Sequence, residues 1–211
     1  MAKKTKEQLI ERFNELRAPE LLLYSKGYKL IAGMDEVGRG PLAGPVVTAC
    51  VILPEDFYAL GIDDSKKVSE NKREELYNII IEKCVCYSIG MVEPEVIDEI
   101  NILQATKLAM KKAFDNMQIK PDYLMIDAMS LPELDVVQEG IIKGDGKRLS
   151  IAAASILAKV TRDRLMREYD LKYPGYGFSS NKGYGTKEHY KGLETEGITE
   201  IHRLSFLKNI L

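Results

Sequence analysis

The sequence predicts an α/β fold built around one mixed sheet with helices on both faces. Two apolar segments, 29–35 and 46–53, flank a glycine-rich turn and predict an antiparallel hairpin. After a third strand-like segment at 84–92, apolar strands alternate with segments of helical periodicity, which is typical of α/β proteins. The chain has 211 residues, of which 45% are hydrophobic and 29% charged, and this is enough to bury a sizeable core.

The remaining elements are predicted from periodicity, capping residues and helix breakers. The N-terminal segment 5–24 carries Leu9, Phe13 and Leu16 at helical spacing, and we expect Pro19 to interrupt this helix. Further helices are predicted at 70–83 after a capping Ser69, at 96–117, at 150–171, at 186–196 and from 199 to the C-terminus. Short buried strands are predicted at 123–127 and at Ile141-Ile142.

Composition narrows the class of protein. The formal charge is −2, so a nucleic-acid partner would have to be held by a local basic patch. Among the three cysteines, Cys84 and Cys86 are predicted on one face of a strand, and all three are interpreted as buried thiols of a reducing compartment. No signal-peptide pattern and no long uncharged apolar stretch is found, so we expect a cytoplasmic location and no membrane partner.

Four acidic residues end or follow predicted strands. Asp35 and Glu36 end the first strand, Asp127 ends the fourth, and Asp145 follows the fifth. Strand ends are where ligands gather in open α/β sheets. Converging carboxylates repel one another unless cations lie among them, and a site with only hard oxygen ligands suits Mg²⁺ or Mn²⁺. Two such ions would support phosphodiester hydrolysis.

Spacing alone does not distinguish such a site from ordinary strand ends. A single aspartate at a strand end is more often a turn or cap residue. Neighbouring residues of a regular strand face opposite sides, so Asp35 and Glu36 can serve one site only if the chain bends after them. Gly38 permits that bend. Both interpretations stay open on spacing.

The motifs around these acids resemble those of bacterial ribonuclease HII. They are DEVGRGPLAGPVV at 35–47, DDSKK at 63–67, Ile126-Asp127, KGD…SIAAASILAKVTRDR from 143 to 164, and NKGYGTKEH at 181–189. They occur in this order across most of the chain. The resemblance implies a ribonuclease H-like mixed five-stranded sheet flanked by helices, with a helical C-terminal extension. We therefore expect an N-terminal helical segment (1–28), which periodicity predicts and which lies outside these motifs, followed by a catalytic core (29–173) and a substrate-gripping extension (174–211), all in one compact unit.

The resemblance also implies the reaction. Asp35, Glu36, Asp127 and Asp145 are implied to be the catalytic acids and to bind two Mn²⁺ or Mg²⁺ ions. The expected substrates are RNA–DNA hybrids and duplex DNA that contains ribonucleotides. The enzyme would hydrolyse the RNA strand of hybrids, and it would incise DNA 5′ of a single embedded ribonucleotide, leaving 3′-hydroxyl and 5′-phosphate ends.

Substrate-binding residues are implied as well. Gly38, Arg39 and Gly40 would read the ribose 2′-hydroxyl together with Tyr184, because glycines allow the backbone to approach a sugar closely. Lys66 matches a position near the nucleic-acid backbone, where a lysine suits a phosphate. The GRG pattern indicates the HII type, since the related HIII type departs from it and usually carries a longer N-terminal substrate-binding domain.

Other positions have weaker signals. Lys159 or Arg162 is expected to support Asp145 or a phosphate, and His189 is interpreted as a structural histidine rather than a proton carrier. The C-terminal apolar stripe is expected to pack on the domain, with a sliding-clamp contact as the alternative; its residues are Leu204, Phe206, Leu207 and Leu211. A monomer is expected. Two other functions stay open, a non-catalytic hybrid binder and a nuclease or phosphatase acting on DNA or small phosphate esters.

Overall fold

The computed structural model describes residues 5–208 and contains one five-stranded mixed sheet of order β3-β2-β1-β4-β5. The strands are β1 (Ile31–Val37), β2 (Val46–Ile52), β3 (Cys86–Val92), β4 (Tyr123–Asp127) and β5 (Val137–Ile141). β2 pairs antiparallel with both β1 and β3, whereas β4 pairs parallel with both β1 and β5. The predicted hairpin and mixed sheet are therefore confirmed.

Helices cover both faces of this sheet. They are α1 (Lys6–Ser25), α2 (Glu70–Lys83), α3 (Pro94–Asp115), α4 (Leu149–Lys172), α5 (Phe178–Asn181), α6 (Lys187–Glu196) and α7 (Leu204–Leu207), with 3₁₀ turns at Ser65–Lys67 and Gly144–Gly146. Alternate residues of β2 face opposite layers, since Ala49 and Val51 pack with α4 while Cys50 and Ile52 pack with α3. None of the helices within residues 5–208 is long and apolar enough to cross a bilayer.

α4 lies directly on β1, and this contact places the helix beside the strand-end acids. A Cβ atom on Gly33 would lie 2.1 Å from the carbonyl carbon of Ser150, so only glycine permits the close approach. The amide of Ser150 donates to the buried carboxylate of Glu20 at 2.7 Å, which ties α1 to the start of α4. The alanines at 152–154 are fully buried against the sheet.

Two details of the predicted elements are wrong. α1 runs through Pro19 without interruption, because Leu16 in the core and Glu20 on Ser150 anchor the helix on both sides of this proline, which leaves one hydrogen bond unmade. Cys84 does not share a strand with Cys86. Its amide donates to the carbonyl of Ile80 at 2.8 Å, so it ends α2 instead. Cys84 and Cys86 are half-buried thiols, and Cys50 is fully buried.

The C-terminal region differs from the predicted continuous helix after 199. Residues 198–203 are not helical, and α7 has four residues. The chain departs from the helix there because the side chains of His202 and Arg203 turn into the core. Leu207 is buried and Phe206 packs against the same cluster, which confirms packing on the domain for these residues, whereas Leu204 is 55% exposed. Leu211 lies outside the described residues.

The apolar pair Ile141-Ile142 is also divided by the structure. β5 ends at Ile141, which is buried, but Ile142 is 72% exposed and is not part of a buried strand. The chain turns immediately afterwards, since Lys143 adopts a left-handed conformation with φ of 58°. This turn leads into the 3₁₀ segment that carries Asp145.

Candidate active site

The four predicted acids line one cavity of about 330 Å³ at the ends of β1 and β4. β1 and β4 are parallel neighbours in which Met34 pairs with Ile126, so Asp35 and Asp127 come next at the same edge. The complete lining is Asp35, Glu36, Val37, Ser65, Lys66, Asp127, Asp145, Ser155, Lys159 and Tyr184. The predicted convergence of acids, Lys66 and Tyr184 is therefore present.

A short hydrogen bond connects the turn of Asp145 to β4. Asp127 is the last residue of β4, and its Oδ1 accepts from the amide of Gly144 at 2.6 Å. Glycines on both sides of Asp145 leave this turn few conformational constraints of its own. The position of Asp145 therefore depends on contacts made by the turn with other segments.

Burial and mutual repulsion raise the pKa values of three of these carboxyls. Burial raises the pKa of Asp35 well above its usual range, and the charge of Glu36 raises it further, against the hydrogen bond from Ser155. Burial also raises the pKa of Glu36, although Arg39 acts in the opposite direction. For Asp145, burial and then the charge of Asp64 raise the pKa. The ionised site is thus under electrostatic strain.

The donor set fits a hard divalent cation. The lining residues that could ligate a metal offer only oxygen atoms, and within residues 5–208 Glu36 Oε2 is buried without a hydrogen-bond partner. A cation would satisfy that oxygen and relieve the repulsion among the acids. Within residues 5–208 no three Asp, Glu, His or Cys side chains stand in positions that hold one ion together, so ion binding requires the carboxylates to draw closer.

The predicted GRG segment lies beside the acids and against Tyr184. Gly38 has a φ of +92°, a conformation that favours glycine. A Cβ atom on Gly40 would lie 3.4 Å from Cε1 of Tyr184, so the loop and the ring are in contact distance. Arg39 pairs with Glu36 at 3.4 Å. The implied sensor residues and the implied catalytic acids therefore form one continuous site.

Arg203, which no sequence pattern marks as part of the site, holds the GRG segment from the core side. Its fully buried guanidinium donates to the carbonyls of Gly38 at 2.5 Å, Arg39 at 3.0 Å and Gly44 at 2.7 Å. In a trans peptide the carbonyl and the following amide point in opposite directions, so the amides of Arg39 and Gly40 point away from Arg203. In the described part of the chain, neither amide donates to another protein group.

Arg162, the second of the two residues expected to support Asp145 or a phosphate, has a similar structural role and contacts neither Asp145 nor the cavity among the described residues. Its buried guanidinium donates to the carbonyls of Ala43 at 3.0 Å, Pro45 at 2.9 Å and Lys182 at 2.8 Å. These bonds connect α4 to the loops on either side of the cavity. The burial that allows them also removes Arg162 from solvent and from any phosphate.

Lys159 reaches the cavity from the same helix. It lines the cavity wall, and its ammonium pairs with Asp163 at 2.6 Å. Of the two α4 cations considered from the sequence, Lys159 is thus the one that lines the cavity.

His189 is a structural histidine, as interpreted from the sequence. It is fully buried, with Nε2 3.1 Å from Nε2 of His202 and Nδ1 3.0 Å from the carbonyl of Tyr184. Because the amide of Thr199 donates to Nδ1 of His202, that ring carries its proton on Nε2 and donates to His189. Burial lowers the pKa of His202 to about 4, which keeps the pair neutral near pH 7. The pair supports the Tyr184 loop from behind.

Comparison with known proteins agrees with this geometry. The model of the ribonuclease HII family matches residues 32–209. The ribonuclease HII of Enterococcus faecalis is 60% identical over 201 residues, which cover 95% of this chain and 78% of the relative. The ribonuclease H2 of Pyrococcus horikoshii OT3 has a TM-score of 0.70 and 28% identity, covering 83% of this chain and 92% of that one. The ribonuclease HII of Archaeoglobus fulgidus, solved in complex with PCNA, has a TM-score of 0.67 and 29% identity over 83% of this chain and 94% of that one. The chain therefore belongs to the ribonuclease HII family, and it is a nuclease of the ribonuclease H class.

Proposed function

We propose that this protein hydrolyses the RNA strand of RNA–DNA hybrids and incises duplex DNA 5′ of a single ribonucleotide, leaving 3′-hydroxyl and 5′-phosphate ends. The observation that supports this proposal is that four carboxylates share one cavity with Tyr184, whose ring lies against the GRG segment. A phosphodiester and the sugar beside it could therefore be held by the same site.

The acids are proposed to hold two Mg²⁺ or Mn²⁺ ions. Asp35, Glu36, Asp127 and Asp145 supply hard oxygen donors, and the unpartnered Oε2 of Glu36 is available as one of them. When bound, the ions would lower the pKa of the attacking water and stabilise the departing oxygen. The protein itself supplies the fixed spacing of β1 and β4, which sets the distance between the carboxylates of Asp35 and Asp127 before an ion binds.

Two lysines at the cavity are proposed to contact phosphates. Lys66 is exposed at the cavity rim, and it is Lys67 that pairs with Asp64, at 3.7 Å. Lys159 lines the same cavity from α4. A phosphate between them would be positioned by charge without any reading of base sequence. This fits an enzyme that selects a sugar.

The sugar itself is proposed to be read by the GRG segment and Tyr184. The amides of Arg39 and Gly40 point away from the core and are available to the 2′-hydroxyl, which can accept as well as donate. The ring of Tyr184 is 49% exposed and can pack on the next sugar, where a deoxyribose fits best. The site would therefore prefer an RNA-to-DNA junction. Residues 174–208 hold this ring and loop through His189 and Arg203, consistent with a gripping role for the extension.

One assay tests the proposed function against the open alternatives. The protein is incubated with Mg²⁺ or Mn²⁺ and a DNA duplex that contains one ribonucleotide, beside an all-DNA duplex and a long RNA–DNA hybrid. We expect incision 5′ of the ribonucleotide and cleavage of the hybrid. Cutting of the all-DNA duplex would favour a general nuclease, and binding without cleavage would favour a hybrid-binding protein.

Replacing Tyr184 with alanine is expected to separate the two substrates. Loss of ring packing on the sugar should lower single-ribonucleotide incision by about tenfold, and cleavage of long hybrids should fall less. The measurement is kcat/KM on each substrate. Tyr87→Ala, which removes a part-exposed tyrosine of β3 that does not line the cavity, is the control. Equal losses on both substrates would contradict a junction-reading role.

Among the described residues of the C-terminal apolar stripe, only Leu204 is exposed enough to contact a sliding clamp. The Archaeoglobus relative was solved in complex with PCNA. In this chain Leu207 is buried and Phe206 packs on the core, so neither presents its side chain to a partner. We propose that the monomer with its nucleic-acid substrate is the functional unit.

A further inference from the structure

The N-terminal helix α1 is connected to two segments of the active site through one side chain. Nη2 of Arg12 donates to Oδ1 of Asp63 at 2.9 Å and to the carbonyl of Gly146 at 2.7 Å. Gly146 directly follows Asp145, and Asp63 begins the loop that carries Lys66. A single guanidinium nitrogen thus connects the turn that carries Asp145 to the loop that carries Lys66, a proposed phosphate contact.

The surroundings of Arg12 make this connection well defined. Its side chain is 24% exposed, and the side chain of Asp63 is 8% exposed. Oδ1 of Asp63 also accepts from the amide of Asp64 at 3.0 Å, and Nη1 of Arg12 pairs with Glu15 at 3.0 Å. The guanidinium is therefore held at several points, and its planar geometry limits how the two segments can move relative to each other.

α1 is itself firmly mounted on the core. Phe13 and Leu16 are buried in the same cluster as the alanines of α4, and Glu20 accepts from the amide of Ser150 at 2.7 Å. Residues on either side of Arg12 along the helix are thus fixed to the domain. The helix can therefore serve as a rigid support for the Gly144–Gly146 turn, whose two glycines restrain its backbone little.

We propose that Arg12 is a positioning residue that holds Asp145 where it can help to bind a divalent cation. This inference rests on the proposed metal-binding role of the four acids. Asp127 holds the turn at Gly144, and Arg12 holds it at Gly146, so Asp145 is supported on both sides. Contacts that orient the ligands of a metal typically change its affinity by about 10- to 100-fold when removed.

The test measures Mn²⁺ binding to the full, metal-free chain without nucleic acid, by the electron paramagnetic resonance signal of free Mn²⁺. Arg12→Gln and Arg12→Lys are each expected to weaken Mn²⁺ binding about tenfold, because glutamine is too short to reach the two acceptors and lysine lacks the rigid planar group that holds Nη2 between them. Arg17→Gln is the matched control. This arginine lies on the same helix and donates to the carbonyl of Glu55, away from the cavity, so its Mn²⁺ affinity should equal that of the unmodified chain.

A double-mutant cycle separates positioning from general effects on the fold. In an Asp145→Asn background, Arg12→Gln should weaken Mn²⁺ binding no further, since the ligand it positions is already gone. A weakening that persists in that background would overturn the proposal. If Arg12 acted only through its charge, Arg12→Gln would tighten Mn²⁺ binding and Arg12→Lys would leave it unchanged, and this result would overturn the proposal too.

The metal-binding role of the acids is tested within the same experiment. If Asp145→Asn alone leaves Mn²⁺ binding unchanged, the proposed role of Asp145 as a ligand fails, whatever the Arg12 variants do. If Asp145→Asn weakens Mn²⁺ binding but both Arg12 variants bind Mn²⁺ as tightly as the unmodified chain, only the positioning role of Arg12 is overturned. The two failures are therefore distinguishable.

Discussion

Asp35→Asn is expected to lower the cleavage rate by at least about a thousandfold while raising the melting temperature of the metal-free protein. A thousandfold loss corresponds to about 4 kcal/mol of transition-state stabilisation, which is the scale expected when a metal-binding acid is lost. The structural reason for the stability gain is that Asp35 is buried beside three other acids. Relief of about 1 kcal/mol of repulsion would raise the melting temperature by about 2–4 °C.

The stability gain of this variant should depend on pH. The folded-state pKa of Asp35 lies above its ordinary value, so the folded state binds this proton more tightly than the unfolded state does. In the unmodified protein, the Asp35 carboxyl therefore contributes less to the free energy of unfolding as the pH rises from its pKa in the unfolded chain through its raised pKa in the folded protein. Asparagine does not titrate and escapes this loss. The difference in melting temperature should therefore be larger at pH 8 than at pH 5.

The measurements are cleavage kinetics with Mg²⁺ or Mn²⁺ and thermal unfolding in a chelator at both pH values. Asp115→Asn is the control, because Asp115 is an exposed acid on α3 that pairs with Lys111. It should change neither activity nor melting temperature appreciably. A clear fall in the melting temperature of Asp35→Asn would show that Asp35 is mainly a structural residue.

Arg203→Met is expected to lower the free energy of unfolding by about 3–5 kcal/mol, because three buried carbonyls lose their donor at a cost of about 1–3 kcal/mol each. The change leaves the carbonyls of Gly38, Arg39 and Gly44 without their buried donor. For a chain of this length the melting temperature should fall by about 10 °C. Arg164→Met removes a surface arginine paired with Glu74 and should lower stability by less than about 1 kcal/mol.

Arg203→Lys provides the functional readout in a variant that keeps the charge. A lysine cannot donate to all three carbonyls in the same geometry, so the amides of Arg39 and Gly40 should lose their fixed orientation. We expect kcat/KM on a single-ribonucleotide duplex to fall more than kcat/KM on a long hybrid, measured below the melting temperature. An unchanged ratio between the two substrates would show that Arg203 stabilises the fold without orienting the sensor loop.

Local patterns predicted much of the fold because they report local physics. Alternating apolar segments around a glycine-rich turn predicted the β1–β2 hairpin, and Asp35 pairs with Ala49 within it. Asp127 was correctly predicted at the end of a short strand. The predictions failed where distant contacts override local preference, as for the helix expected after residue 199, where burial of His202 and Arg203 prevents it.

Taken alone, the sequence determined the sheet and the family resemblance, and it predicted the four acids that line the cavity, since each depends on neighbouring residues or on an ordered set of motifs. Only the tertiary structure decided which distant side chains support them. Arg203 reaches the carbonyl of Gly38 across 165 positions, and Arg12 reaches that of Gly146 across 134. Such bonds use main-chain carbonyls, which every residue has, so no sequence pattern marks the acceptor. Their existence depends on how the helices pack, and that is settled only when the whole core forms.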